Sequence, residues 1–200
     1  MTLDNAIKNA NHWFNTHIAT RTVNGPFETI TWRRADGFSH YNIRYVFNTE
    51  ANTLTISGDL GYAVVQPTEK ACLRTLSHYI NSVDYFAEKI KTATDLYEYS
   101  PDAARAAMHE YLIDNENLNA SEQQEIEDFI DDLLDEAFYT DTGFTLNDTQ
   151  YHQLSKYDSD AFEWIGHCGR EYHLRVYLWL IGMQRAYAQL KNTIQESVNP

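Results

Sequence analysis

Cysteine is scarce in this sequence: only Cys72 and Cys168 occur among the 200 residues, far apart and in no metal-type spacing. Two distant thiols exclude a disulfide framework and a cysteine-based zinc site of the usual spacing. No apolar run approaches the ~20 residues that a transmembrane helix needs. The N-terminus also lacks a basic segment followed by an apolar one, so no signal peptide is expected. We therefore expect a cytoplasmic protein with reduced thiols and no membrane contact.

Basic residues are also few, with 15 Lys and Arg against 29 Asp and Glu and a net charge of −14. This deficit disfavours direct nucleic-acid binding, which needs cations to displace phosphate counterions. It is concentrated in one segment, because Ala106–Ser155 holds 13 acids and no Lys or Arg. Since the remaining residues are nearly balanced, the charge imbalance indicates a local surface property.

Motifs for catalysis and phosphate binding are missing. The sequence has no GxGxxG loop, no GxSxG elbow and no HExxH pair. His167, Cys168 and His173 are close in sequence, which would suit a nucleophile or a zinc site, but their spacing fits no ligand pattern. We interpret them as a buried thiol beside polar histidines, with an enzyme that uses Cys168 and His167 as the alternative. No catalytic residue, metal or cofactor is predicted.

Aromatic and basic residues alternate with one another around Trp32–Arg34 and Tyr41–Tyr45. Such interleaving would suit stacking on nucleic-acid bases. The overall negative charge favours a different interpretation, in which the aromatic rings face a core and the arginines cover the edge of a sheet.

Hydrophobic periodicity predicts an α+β fold: a small antiparallel β-meander of about four strands, residues 27–66, packed against a mainly helical body. The predicted strands are Phe27–Arg34, His40–Asn48, Thr53–Ser57 and Leu60–Gln66. A helix is predicted over residues 3–18, and everything after Pro67 is predicted to be helical (69–196), including Glu69–Ile80 and Ser82–Lys91. No linker stands out, so residues 1–200 are expected to form a single domain.

Two further helices have clear signals. Ser100-Pro101 is typical of a helix start, with Ser as N-cap and Pro at the first helical position. Tyr172–Ile194 is apolar almost all round between Leu174 and Met183, which predicts a helix inside a core. Such a helix could pack within one chain or across a homodimer.

The acidic segment contains a predicted amphipathic helix that Ser121–Gln124 would open as a capping box. The apolar residues on one side of it are Ile126, Phe129, Ile130, Leu133, Leu134 and Ala137, and most acids fall on the other side. The predicted partner-binding residues are Glu122, Glu125, Asp128, Asp131, Asp132, Asp135 and Glu136. Two interpretations stay open: a merely solvated helix face, or a surface complementary to a strongly basic partner.

Two parts of the chain resemble small accessory proteins carried by phages and prophages of Gram-positive bacteria. Tyr41–Phe47 with Leu54–Val64 resembles their N-terminal sheet, and Leu154–Ile165 with Arg175–Gln184 resembles their C-terminal part. Some type II-A anti-CRISPR proteins, which are non-enzymatic inhibitors of Cas9, are similar to this group. The resemblance implies no defined functional residues.

Resemblance and charge together lead to one hypothesis: a phage-encoded, non-enzymatic inhibitor in the host bacterial cytoplasm. It would act as a DNA mimic that binds a basic host protein, in the first place Cas9 or its guide-RNA complex, through the acidic helix. The alternative is a generic interaction or regulatory protein of a mobile element whose acidic face only keeps it soluble.

Overall fold

The structure, a computed structural model, describes residues 2–114, 118–136, 138–140 and 143–196. In chain order the first half contains α1 (Leu3–Trp13), β1 (His17–Asn24), β2 (Phe27–Arg34), β3 (Ile43–Asn48), β4 (Thr53–Gly58), β5 (Ala63–Val65), α2 (Leu73–Leu76), a 3₁₀ helix (Ser77–Asn81), α3 (Val83–Glu88) and β6 (Ile90–Ala93). The second half contains β7 (Tyr97–Tyr99), α4 (Pro101–His109), a π-helical turn (Glu110–Asp114), α5 (Ala120–Glu136), β8 (Phe138–Thr140), β9 (Gly143–Thr145), α6 (Asp148–Leu154), α7 (Ala161–Trp164), a 3₁₀ helix (Ile165–His167), β10 (Arg170–Tyr172) and α8 (Leu174–Glu196).

The chain divides into two compact units. Unit 1 comprises residues 1–96 and 173–200, and unit 2 comprises residues 97–172. This division reflects how contacts cluster within the chain and does not show whether the units fold separately. The expectation of a single domain therefore stays a prediction. The predicted α+β class is confirmed, since helices accompany an antiparallel sheet.

The sheet of unit 1 has six strands in the order β1-β2-β3-β4-β5-β6, two more than the predicted meander. The extra strands lie at its edges, where residues 17–18 and Ile90–Lys91 were expected to be helical. β1 pairs with β2 along its whole length, from His17↔Arg34 to Asn24↔Phe27. The local spacing favours a helix at residues 17–18. The strand is favoured more strongly, because β1 is rich in β-branched residues and pairs along its whole length with β2. The prediction that everything after Pro67 is helical was therefore wrong, also for β7 to β10.

The core of unit 1 lies between the sheet and α8. The predicted core position of this helix is confirmed, because every residue from Val176 to Met183 is buried. Close approach depends on Gly182, where a Cβ atom would lie 2.6 Å from Tyr45 Oη and 3.0 Å from Ile43 Cδ1. Tyr45 is fully buried and its hydroxyl donates to the carbonyl of Trp179 at 2.7 Å. A buried phenol thus finds the acceptor that it needs.

Unit 2 has its own hydrophobic core, which α4 to α7 surround. Its buried members include Met108, Ile130, Leu154 and Trp164. The predicted start of α4 is confirmed: Ser100 Oγ accepts a hydrogen bond from the backbone N–H of Ala103 at 3.2 Å, and Pro101 is the first helical residue. In the described part of the chain, no helix combines the length and apolar character needed to cross a bilayer.

Candidate functional site

The acidic helix α5 begins earlier than the sequence indicates. Asn119 is its cap, because Asn119 Oδ1 accepts from the N–H groups of Ser121 and Glu122 at 2.9 and 3.1 Å. The Glu122 carboxylate returns to the N–H of Asn119 at 2.9 Å, which completes a capping box. The predicted box at Ser121–Gln124 was therefore placed two residues too late. Glu122, a predicted partner-binding residue, serves the helix start.

The inner side of α5 is anchored in the core of unit 2. Ile126, Ile130, Leu133 and Leu134 are buried there and Phe129 is partly buried, as the helical periodicity predicts, while Ala137 lies outside the described residues. Burying an apolar side chain of this size stabilises a fold by about 1.5–3 kcal/mol. These four contacts fix the rotation of the helix about its axis and therefore decide which side chains remain outside.

The outer side of α5 carries the predicted acids. Six of the seven have exposed side chains: Glu122, Glu125, Asp128, Asp131, Asp132 and Asp135. The side chain of Glu136 lies outside the described residues. At about 100° per residue, these positions cover about half of the helix circumference. The structure therefore brings the predicted residues together on one side of one helix.

One edge of this arc is in contact with side chains of α4. Arg105 forms an ion pair with Asp131, and His109 Nε2 lies 3.0 Å from Glu127 Oε2. Neither contact is predicted from the sequence, because Arg105 lies one residue before the cation-free segment. Arg105 and His109 are four residues apart on α4, which places both side chains on the same side of that helix. This spacing was the one indication in the sequence that they could contact a common partner. The charge of Asp131 is thus compensated by Arg105, so this predicted residue is less available to a partner.

The opposite part of the arc is bordered by an aromatic pair. Phe129 packs against Tyr157 with ring centroids 5.0 Å apart, and the Tyr157 hydroxyl donates to Glu125 Oε1 at 3.3 Å. Burial first, and then the charge of Glu125, raise the pKa of Tyr157, so the hydroxyl stays a donor. Tyr157 is 36% exposed and therefore presents ring surface beside the acids.

Four of the predicted carboxylates on the outer side of α5 remain. We call these four the acidic face: Glu125, Asp128, Asp132 and Asp135. Asp128 accepts from Gln124 Nε2 at 2.8 Å, a neutral contact that leaves its charge in place. Asp132 and Asp135 make no hydrogen bond or ion pair with any described residue. The acidic face is therefore the part of the predicted site whose charge is not compensated within the described structure.

The thiol that an enzyme would need is not accessible. Cys168 is 3% exposed and its Sγ donates to the carbonyl of Ala104 at 3.5 Å. Burial raises the pKa of Cys168 to about 12, so the reactive thiolate is negligible at neutral pH. His167 is exposed and its Nδ1 contacts Arg170, while His173 Nδ1 accepts from the backbone N–H of Arg175. Among the described residues, no three His, Cys, Asp or Glu side chains form a metal-binding group.

The favoured interpretation of the aromatic and basic residues is confirmed for the rings of Trp32 and Tyr45 and wrong for the arginines. Trp32 and Tyr45 are at most 1% exposed, so their rings face the core and cannot stack on a base. Arg33 is exposed and Arg34 is held by Asp36, but both belong to β2, which lies between β1 and β3 and is not an edge of the sheet. Tyr41 instead stacks on Trp13, with ring centroids 4.6 Å apart.

Comparisons with known proteins give no relative: no family model matches the chain, and neither a curated protein nor a solved structure gives a significant match. The resemblance to phage accessory and anti-CRISPR proteins therefore stays a prediction from the residues quoted above.

Proposed function

We propose that this chain is a non-enzymatic inhibitor that covers the nucleic-acid-binding surface of a basic partner with the acidic face of α5. Cas9 is the first partner to test, because it holds its nucleic acids in a positively charged channel and reads the PAM with arginines. The resemblance of the two segments to phage accessory proteins favours the same partner.

The observation that carries the proposal is the uncompensated charge of the acidic face. Its four carboxylates run from Glu125 to Asp135, about 15 Å along the helix axis at 1.5 Å per residue. That is one charge per about 5 Å along the axis, somewhat wider than the one phosphate per about 3.4 Å along one strand of DNA. Arginine forks bind carboxylate and phosphate oxygens in the same geometry, so such a row can replace a nucleic-acid strand.

Helix stability alone does not explain this row. Asp128 and Asp132 are like charges four residues apart, a spacing that costs an isolated helix about 0.2–0.5 kcal/mol. No Lys or Arg of α5 offsets the repulsion. Unit 2 as a whole holds 19 Asp and Glu against three Lys and Arg, whereas unit 1 holds ten against twelve. A basic partner would relieve the repulsion that the fold leaves in place.

The test is capture of Cas9, with and without guide RNA, by the purified protein and by two matched triple variants. Asp128→Lys, Asp132→Lys and Asp135→Lys together should abolish capture. The control combines Glu50→Lys, Glu69→Lys and Asp95→Lys, three exposed acids of unit 1 that give the same change in net charge. The control should bind like the native chain.

Salt provides a second measurement on the native chain. Binding should weaken steeply by about 0.5 M salt, where the Debye length falls well below its value near 8 Å under physiological conditions. Affinity for Cas9 that persists unchanged at high salt would contradict the electrostatic account. Equal capture by both triple variants would favour the alternative, a regulatory protein whose acidic face only maintains solubility.

A further inference from the structure

A second feature lies in unit 1, away from the acidic helix in sequence and composition. A cavity of about 440 Å³ opens between the turn of the β1–β2 hairpin and the start of α2. Its volume lies within the roughly 300–1,000 Å³ of small-molecule sites, and it exceeds the roughly 150 Å³ cavity that holds a benzene ring. The cavity is therefore large enough for an organic ligand with one or two rings.

One wall of the cavity is apolar and exposed. Val23 and Phe27 are 54% and 45% exposed, although both belong to strands, and Pro26 lies between them. Ile194 of α8 also lines the cavity. Exposed apolar side chains that converge on one concavity are typical of a surface that another molecule covers.

The lining of the cavity also contains cations. Arg21, Lys70 and Arg74 line the cavity, together with a single described carboxylate, Glu28. Glu28 is 7% exposed and already neutralised: its Oε1 accepts from Arg21 Nε at 2.7 Å and its Oε2 from the N–H of Leu73 at 3.2 Å. Lys70 and Arg74 are exposed and form no ion pair with any described residue.

The side chains that line the cavity indicate the chemical class of its ligand. Cations beside an exposed apolar surface fit a molecule with an anionic group at one end and an apolar body at the other. The electrostatic setting agrees, because unit 1 is slightly basic within a strongly acidic chain. We infer that this cavity binds a small organic anion with an apolar body, through the cations of Lys70 and Arg74 and the apolar side chains of Val23 and Phe27.

Two naphthalene dyes separate the charge requirement from the apolar one. Anilinonaphthalene sulfonate has the anionic group, and N-phenylnaphthylamine is its neutral counterpart. The native chain should bind the sulfonate with enhanced, blue-shifted fluorescence. Lys70→Glu with Arg74→Glu should weaken sulfonate binding about tenfold or more, since like charges replace both cations. Binding of the neutral dye should change less than about twofold.

The matched control is Lys8→Glu with Lys91→Glu, two exposed lysines of unit 1 outside the cavity. It gives the same change in net charge and should bind the sulfonate within about twofold of the native chain. Phe27→Ser should weaken both dyes, because it removes the apolar wall. Equal sulfonate binding by the cavity variant and the control, or no binding to the native chain, would overturn the inference.

A second pair of substitutions serves as the test if Lys70→Glu with Arg74→Glu impairs folding. Lys70→Gln with Arg74→Gln removes the cations without repulsion, and circular dichroism checks that the variant is folded. This pair should still weaken sulfonate binding about threefold or more while leaving the neutral dye unaffected. Because the cavity belongs to unit 1 and the acidic face to unit 2, neither result depends on capture of Cas9.

Discussion

At the scale of single residues, the stability of unit 1 depends on a few closely packed positions in its core. Gly182 allows α8 to approach Tyr45 and Ile43. His17 is 4% exposed, contacts the rings of Phe14 and Trp32, and places Nε2 at 3.2 Å from the carbonyl of His40. In both cases a substitution acts on the core rather than on the surface, so stability is the property to measure.

Gly182→Val should lower the free energy of unfolding by about 2–3 kcal/mol, because the new side chain overpacks a full core. Urea denaturation measures the change. Gly166→Val is the matched control, since a Cβ atom there meets nothing within 4 Å, and it should cost less than about 1 kcal/mol. Similar losses for both variants would mean that Gly182 is not a point of close packing.

His17 should make stability depend on pH. Burial lowers the pKa of His17 below its ordinary value of 6.5, despite the acceptor carbonyls of His40 and Tyr41. The unfolded chain then binds the proton more readily, so the stabilising contribution is complete above about pH 6.5 and is lost as the pH falls below it. The Tm of the native chain should fall more steeply than that of His17→Gln between about pH 7.5 and 5. Parallel profiles would contradict the assignment.

At the scale of elements, the sequence locates α5 and the structure corrects where it begins. Asn119 and Glu122 satisfy each other's backbone N–H groups, while the Ser121 backbone N–H donates to Asn119 Oδ1. Both Asn119 and Ser121 are good N-cap residues, and Glu and Gln both suit the third helical position. Propensity alone therefore could not decide between two overlapping boxes.

The variants Asn119→Ala and Ser121→Ala distinguish the two boxes. Asn119→Ala should destabilise the protein by about 1 kcal/mol, because two helical N–H groups lose their acceptor. Ser121→Ala should change the stability by less than about 0.5 kcal/mol, as an exposed substitution. Chemical denaturation measures both, and a larger loss for Ser121→Ala would restore the cap indicated by the sequence.

At the scale of the whole molecule, charge and structure divide the chain in the same way. The excess of acids belongs to unit 2, and the cation-lined cavity belongs to unit 1. The two units also have different buried residues, with α8 in one and α5 in the other. The two proposed binding sites, which differ in the sign of their charge, can therefore be changed independently by mutation.

Thermal unfolding tests the expectation of a single domain. One cooperative calorimetric transition is expected, and Gly182→Val in unit 1 should lower the same midpoint as Asn119→Ala in unit 2. Agreement of the calorimetric and van't Hoff enthalpies is the quantitative criterion. Two transitions, each sensitive to only one of the variants, would show that the units unfold separately.

Short-range patterns in the sequence determined the α+β class, the strands of the meander, the start of α4 at Ser100, the amphipathic α5 and the buried α8. Each depends on neighbours within a few turns of the chain, such as alternation, helical spacing or a capping residue. Only the tertiary structure decided that His17–Asn24 and Ile90–Ala93 form edge strands, that Arg105 reaches Asp131, and that Phe27 and Arg74 line one cavity. These features arise from contacts between residues far apart in sequence, whose energies outweigh local preferences and leave no local pattern.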